Sequence, residues 1–324
     1  RVKASCSVAS NEVRASVERN EGLPRGRERL KGFLKLFYTC FALLVMYSLR
    51  SGLGSGLTKQ FGALVEGVDL SRNLSDATVN ALKRDLYEHR LLIFRGQGEI
   101  KGSRQVEISE WFGEVESTFS KHPRSPHPDI FRVSNDAAQG CTSVGRSGWH
   151  IDGTFMERPF KVQTMHFWAC PKEGGSTLFA PLREIAESLR KDASFEWDRL
   201  HFVTNRRTDY ALVHPLICVH PVTGDATMVF HLGRHFMDAI VEAGGTENRV
   251  LSEEEVQRVC TILKDKCEET EWCLDFRWQP GDFAIVDNRA LAHYAHSSTQ
   301  ADPRRAGLRI LHRTTVAGDC RPVK

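Results

Sequence analysis

At 324 residues, of which 41% are hydrophobic, the chain can bury a substantial core, and one β domain of this size is ordinary. Lysine and arginine number 44 against 41 acids; the formal charge of +3 is too small to point to nucleic acid or a membrane surface, and no basic block interleaved with aromatics stands out. Nine scattered cysteines without a C-x-x-C pair read as reduced thiols in a reducing compartment, which sets the expected location in the cytoplasm.

Residues 1–56, rich in Arg and Ser, read as a leader that is disordered, used for targeting or absent from the mature protein, and 57–324 as the folded domain. The apolar run over 33–49 leaves targeting or anchoring open. From Leu36 it is shorter than the ~20 residues that span a bilayer, and Lys35 interrupts its start. A targeting segment, a weak anchor and a helix packed on the domain all fit it. Met46, the first methionine, adds a fourth reading in which translation starts there.

Ser75 is placed to cap a helix through His89, with Val79, Leu82 and Leu86 on one stripe, and the helix feeds an apolar strand, Leu91 to Phe94. Asn135, in Val133-Ser134-Asn135-Asp136, reads as a loop residue. Next comes Trp149-His150-Ile151-Asp152-Gly153. Residues two apart on an extended segment face the same way, so His150 and Asp152 can grip one ion. Strands are expected over 162–168, 216–219, 227–230, 283–286 and 309–316, and a short surface helix over 183–190. Ser252 with Glu255 forms a capping box for a helix over 252–269.

Farther on, His293 and His296 are three apart, so an extended segment aims only one of them inward. Two imidazoles and a carboxylate form the facial triad of non-haem Fe(II) oxygenases, which leaves open positions for cosubstrate and oxygen. Near the C-terminus Arg309, Leu311 and Arg313 share a strand face. A core-facing arginine is costly without an anion, so each needs either an acidic side chain or the carboxylate of a ligand opposite it. The guanidinium fork suits the distal acid of a dicarboxylate such as 2-oxoglutarate.

These residues carry a family resemblance. The chain is similar to the taurine dioxygenase and 2,4-dichlorophenoxyacetate dioxygenase family of Fe(II)- and 2-oxoglutarate-dependent enzymes. The match runs in order from Phe61-Gly62-Ala63 through Leu91 to Gln97, Trp149-His150-x-Asp152 and Gly174-Gly175-Ser176-Thr177. It continues through His214-Pro215, His220-Pro221, Arg277-Trp278-Gln279-Pro280-Gly281-Asp282 and His293-Tyr294-Ala295 to Arg309 and beyond. Roughly the last four-fifths of the chain is covered, which is more specific than any single motif.

The resemblance implies a mainly β fold with flanking helices, a double-stranded β-helix of the cupin-like jelly-roll type. It implies that His150, Asp152 and His293 bind Fe(II), that Thr177 and Arg309 hold 2-oxoglutarate, and that Arg313 either meets the acidic group of the substrate or braces the cosubstrate. O2 is the remaining reactant: 2-oxoglutarate leaves as succinate and CO2 while a C–H bond of a small anionic compound is hydroxylated. A sulfonate such as taurine is the expected substrate, with an aryloxyalkanoate or other carboxylic acid as the alternative.

Departures concern substrate. Arg146 and Ser147 stand where the taurine-using pattern carries Asn and other small polar residues, and His231, Arg234 and His235 stand where it places an aromatic wall. If Arg146, Arg234 and His235 line the pocket, they favour an anion; if they face solvent, they say nothing of the substrate. Two rival readings are weighed as well. A zinc hydrolase on the same three ligands leaves Arg309 and Thr177 without a role, and a non-catalytic jelly-roll binding protein leaves the ligand set unexplained. The expected partner is a small molecule, and homo-oligomer formation is left open.

Overall fold

The apolar run Leu91–Phe94 is buried at every position, as a strand must be when other layers cover both faces of its sheet. In the computed structural model the described residues are 47–51, 61–116, 121–204, 211–233, 235–244, 247–269 and 271–324, all within the unit Met46–Lys324. The first half contributes β1 (Ser48–Ser51), β2 (Ala63–Glu66), α1 (Asp76–His89), β3 (Leu91–Phe94), α2 (Gly102–Glu110), β4 (Phe131–Ser134), β5 (Val162–Ala169) and β6 (Thr177–Pro181). Then follow α3 (Leu182–Leu189), β7 (Leu200–Thr204), β8 (Leu212–Pro215), β9 (Ile217–Val219), β10 (Ala226–Met228), β11 (Ala239–Glu242), β12 (Arg249–Val250) and α4 (Glu253–Glu268). The chain closes with β13 (Leu274–Phe276), β14 (Asp282–Asp287), β15 (Leu291–Ala295), α5 (Pro303–Ala306) and β16 (Ile310–Val316).

The main sheet has seven strands in the order β1-β2-β3-β14-β5-β16-β4. Ser48–Ser51, which the sequence reading places in the leader, pairs antiparallel with β2. The apolar run expected over 33–49 lies, up to Met46, outside the described residues. No helix among the described residues is long and apolar enough to cross a membrane, and every described cysteine is a free thiol.

The facing layer starts as β13-β6-β15. It continues through single-residue bridges that pair His150 with His293 on one side and with His231 on the other. Hydrogen bonds from Val229 N to Leu216 O and from Ile151 N to Phe230 O carry it on toward the β9–β10 hairpin. Two layers, antiparallel but for the parallel β2–β3 pair, closed in this way form the expected jelly roll. Between them the Phe167 and Trp278 rings stack with centroids 3.9 Å apart, and Phe179, Met165 and Leu311 fill the same cluster.

The capped helices form as the sequence signals them. Ser75 accepts from Thr78 N at the start of α1, and both bonds of the Ser252–Glu255 box close the start of α4. α1 packs Leu82 and Leu86 against the outer face of the main sheet, whereas α3 and α4 cover the outer face of the other layer with Ile185, Leu189, Val259 and Leu263.

Candidate metal and cosubstrate site

The bridge at His150 brings the triad together. His150 exchanges both backbone hydrogen bonds with His293, His150 N to His293 O at 3.2 Å and the reverse at 2.9 Å, so the two rings lie on one face with centroids 4.4 Å apart. The chain then turns, and Asp152 swings to the same side. The turn requires Gly153, whose φ is +88° and whose missing Cβ would sit 2.8 Å from Phe160 N. One ligand-capable atom from each of His150, Asp152 and His293 lies within 4.8 Å of the others. His296 takes no part; its Nδ1 bonds Ser298 Oγ at 2.7 Å and accepts from Ser298 N, capping a 3-10 turn.

Protonation favours metal binding. Burial pushes the His150 imidazole down, and its Nδ1 lies 2.7 Å from Gly148 O, where it must donate, which leaves the Nε2 lone pair free. Burial together with neighbouring His150 takes His293 down to about 3. For Asp152 burial acts upward, but the Arg313 guanidinium and the surrounding imidazoles outweigh it and hold the carboxyl at about 2. At neutral pH the site offers two neutral imidazoles and one carboxylate, a donor set that suits Fe(II).

The two arginines of β16 and its approach have different surroundings. Arg313 Nη1 donates to Asp152 Oδ2 at 2.5 Å, and its guanidinium carbon lies 5.3 Å from the centre of the Phe131 ring. Arg309 is 3% exposed and donates through Nε to Gly175 O at 3.1 Å, yet among the described residues no carboxylate comes within ion-pairing distance of it. Burial pushes it down to about 10. Gly175, at φ +76°, is required by its own turn and by Pro171, since a Cβ there would lie 2.6 Å from Pro171 Cγ. Thr177 stands opposite Ala295, two residues along β15 from His293, and its hydroxyl accepts from Trp278 Nε1 at 2.9 Å, which leaves its own hydrogen to donate.

The remaining sequence candidates are dispersed. Arg146 and His235 are exposed, and Arg234 lies outside the described residues. His231 stacks on His150 at 4.5 Å and on Phe236 at 4.1 Å, so this segment does present a ring wall to the site. Asn135 ties the end of β4 to the approach of β16: it accepts from Arg309 N at 2.8 Å and donates to Ala301 O and Gly307 O at 3.0 Å.

Sequence reasoning missed Gln163 and Asn288. Asn288 accepts from Asp152 N and donates to Asp152 O, both at 2.9 Å, and Gln163 donates to Asp152 Oδ2 at 2.8 Å. Neither carries a ligand spacing that could have singled it out.

Comparison with known proteins agrees with this geometry. The family model described as taurine catabolism dioxygenase TauD, TfdA family matches residues 54–315. The alpha-ketoglutarate-dependent sulfate ester dioxygenase of Pseudomonas putida is 31% identical over 286 residues, covering 80% of this chain and 87% of its own. The alpha-ketoglutarate-dependent 2,4-dichlorophenoxyacetate dioxygenase of Cupriavidus pinatubonensis is 25% identical over 72% of this chain and 88% of its own. Among solved structures, a taurine dioxygenase from Burkholderia xenovorans superposes with a TM-score of 0.67 at 27% identity, covering 86% of this chain and 92% of that one.

Proposed function

The chain belongs to the TauD, TfdA dioxygenase family and is an Fe(II)- and 2-oxoglutarate-dependent dioxygenase, and from that premise we propose that it hydroxylates a small organic anion bearing a sulfate ester or sulfonate group. His150, Asp152 and His293 are assigned as the iron ligands, and Arg309 with Thr177 as the holders of the distal carboxylate of 2-oxoglutarate. The observation that carries this reading is the buried Arg309 guanidinium, which has no carboxylate partner among the described residues, in a fold that also gathers a triad whose protonation suits a divalent ion. When bound, iron with 2-oxoglutarate and O2 supplies the oxidising power to replace a C–H hydrogen by hydroxyl, with succinate and CO2 as coproducts.

The protein side of the chemistry is placement and charge. Arg313 serves Asp152 first through Nη1, and the rest of its guanidinium is left to meet the anionic end of the substrate. Two guanidinium groups against one carboxylate give these walls a net positive charge, which attracts anions into a partly dry cleft. Hydroxylation at the carbon that carries the heteroatom gives an unstable product that falls apart. The sulfate ester relative, at 31% identity, favours a sulfur oxyanion over a carboxylate; the 2,4-dichlorophenoxyacetate relative supports an aryloxyalkanoate as the second reading. We take 57–324 as the catalytic domain, with β1 joined to its sheet, and the free thiols suit a cytoplasmic setting.

The test is substrate-dependent succinate formation. Iron-loaded protein is given 2-oxoglutarate with alkyl sulfates, alkanesulfonates, aryloxyalkanoates and neutral alcohols of matched length. Faster succinate release with the sulfur oxyanions, and release of an aldehyde from them, is the expected result. A preference for the neutral compounds would defeat the anion assignment, and a preference for aryloxyalkanoates would select the second reading.

A further inference from the structure

We propose that Gln163 is a positioning residue that fixes which oxygen of Asp152 meets the metal; the inference rests on the metal reading above. Gln163 lies on β5, between Val286 of β14 and Thr315 of β16, with no exposed surface. Its amide nitrogen donates to Asp152 Oδ2 at 2.8 Å and to Asn288 Oδ1 at 2.7 Å. Both of its hydrogens are thereby used. Arg313 brings a second donor to the same Oδ2, which fills the lone pairs of that oxygen. Both oxygens stand near an imidazole, Oδ1 3.7 Å from His150 Nε2 and Oδ2 3.9 Å from His293 Nε2, but only Oδ1 accepts no hydrogen bond among the described residues. The carboxylate is therefore turned so that one oxygen is held by the protein and the other is offered to the ion.

Asn288 closes the arrangement. It holds the backbone of Asp152 on both sides and also donates to Phe160 O at 2.6 Å, so Gln163, Asn288 and Asp152 form one ring of hydrogen bonds. A packing role does not account for the amide. Gln163 Oε1 is buried and accepts nothing among the described residues, a burden that an apolar side chain of the same size between Val286 and Thr315 would not carry. What the amide adds at this position is its pair of donors.

Held in this way, Asp152 would offer the ion one oxygen and leave room for the cosubstrate and oxygen. Partners of this kind orient a ligating group, and their loss weakens metal binding.

The experiment uses Gln163→Leu, which removes both donors at similar volume, with Gln163→Met as the second variant should the first not fold. Metal-free protein is titrated with Co(II) by calorimetry, the visible spectrum of the Co(II) form is recorded, and the metal-free forms are melted. The expected result is Co(II) affinity lower by about ten- to hundredfold, an altered Co(II) band, and a metal-free melting point close to that of the parent, because the lost bonds are offset by removal of the unpaired Oε1. Unchanged affinity with an unchanged spectrum in the folded variant overturns the proposal and leaves the metal reading intact. Equal Co(II) binding by the parent and Asp152→Ala overturns the metal reading, and the proposal with it.

Discussion

Replacing Arg309 by methionine should make the metal-free protein more stable and the enzyme far more demanding of 2-oxoglutarate. Burial takes this guanidinium from 12.5 to about 10, which at about 1.4 kcal/mol per pH unit is a cost of about 3 kcal/mol to the folded state. The sign is fixed by protonation: at pH 7 the group is charged in both folded and unfolded chains, so the whole cost is present there and is relieved only above pH 10. The substitution also removes the bond from Nε to Gly175 O, worth about 1 kcal/mol. The balance is a gain of about 2 kcal/mol, which urea unfolding of the metal-free protein resolves as a higher midpoint. Against this, the loss of a charge-assisted pair with the bound dicarboxylate, about 3 kcal/mol, raises the 2-oxoglutarate requirement on the order of a hundredfold. Succinate formation measured against 2-oxoglutarate concentration checks the second half. A variant that unfolds at lower urea would show that Arg309 is held by a partner inside the protein, and an unchanged requirement would remove it from the cosubstrate site.

The ligand assignment separates two neighbouring histidines. His293→Ala should lose stoichiometric metal binding, while His296→Ala, which only uncaps a 3-10 turn, should keep it; calorimetric titration decides, and the reverse pattern would reassign the triad. On the outer face of the main sheet His312 is 4% exposed, and burial takes it down to about 3. Because the unfolded chain takes up the proton first, its contribution is complete above the ordinary histidine value and is lost as the pH falls from about 6.5 toward 3, amounting to about 2 kcal/mol at pH 5. His312→Gln, which can still accept from Arg132, should remove that share of the difference between urea midpoints at pH 7 and pH 5; an unchanged difference would place the acid sensitivity elsewhere.

What could be read in the sequence is what depends on near neighbours. α1 and α4 carry their own caps, and β3, β5 and β14 are runs whose apolar content needs no distant partner to be recognised. α2 carries neither signal. Lys101 gives it no side-chain cap, and its inward side chains include Gln105 and Ser109. These bond to Thr164, Thr314 and the His312 carbonyl because the sheet face beneath is itself polar. A search for an apolar stripe passes over such a helix. The bridge at His231 is a single residue long, too short for any periodicity, and Gln163 meets Asn288 across 125 positions of sequence.

The arginine pair shows where a physical rule is sound and still underdetermined. That a core-facing arginine needs an anion holds for both, and composition does not say whether the anion comes from the protein or from a ligand. Arg313 meets Asp152 because Gly153 permits the turn that swings the carboxylate under β16. Arg309, four residues earlier on the same face, donates to the Gly175 carbonyl and lies over the Phe167 ring, with no carboxylate partner among the described residues. One guanidinium is thus spent on holding a ligand in place while the other is left with its charge uncompensated, and it is this inequality between two residues of one strand pattern that separates the metal end of the site from the cosubstrate end.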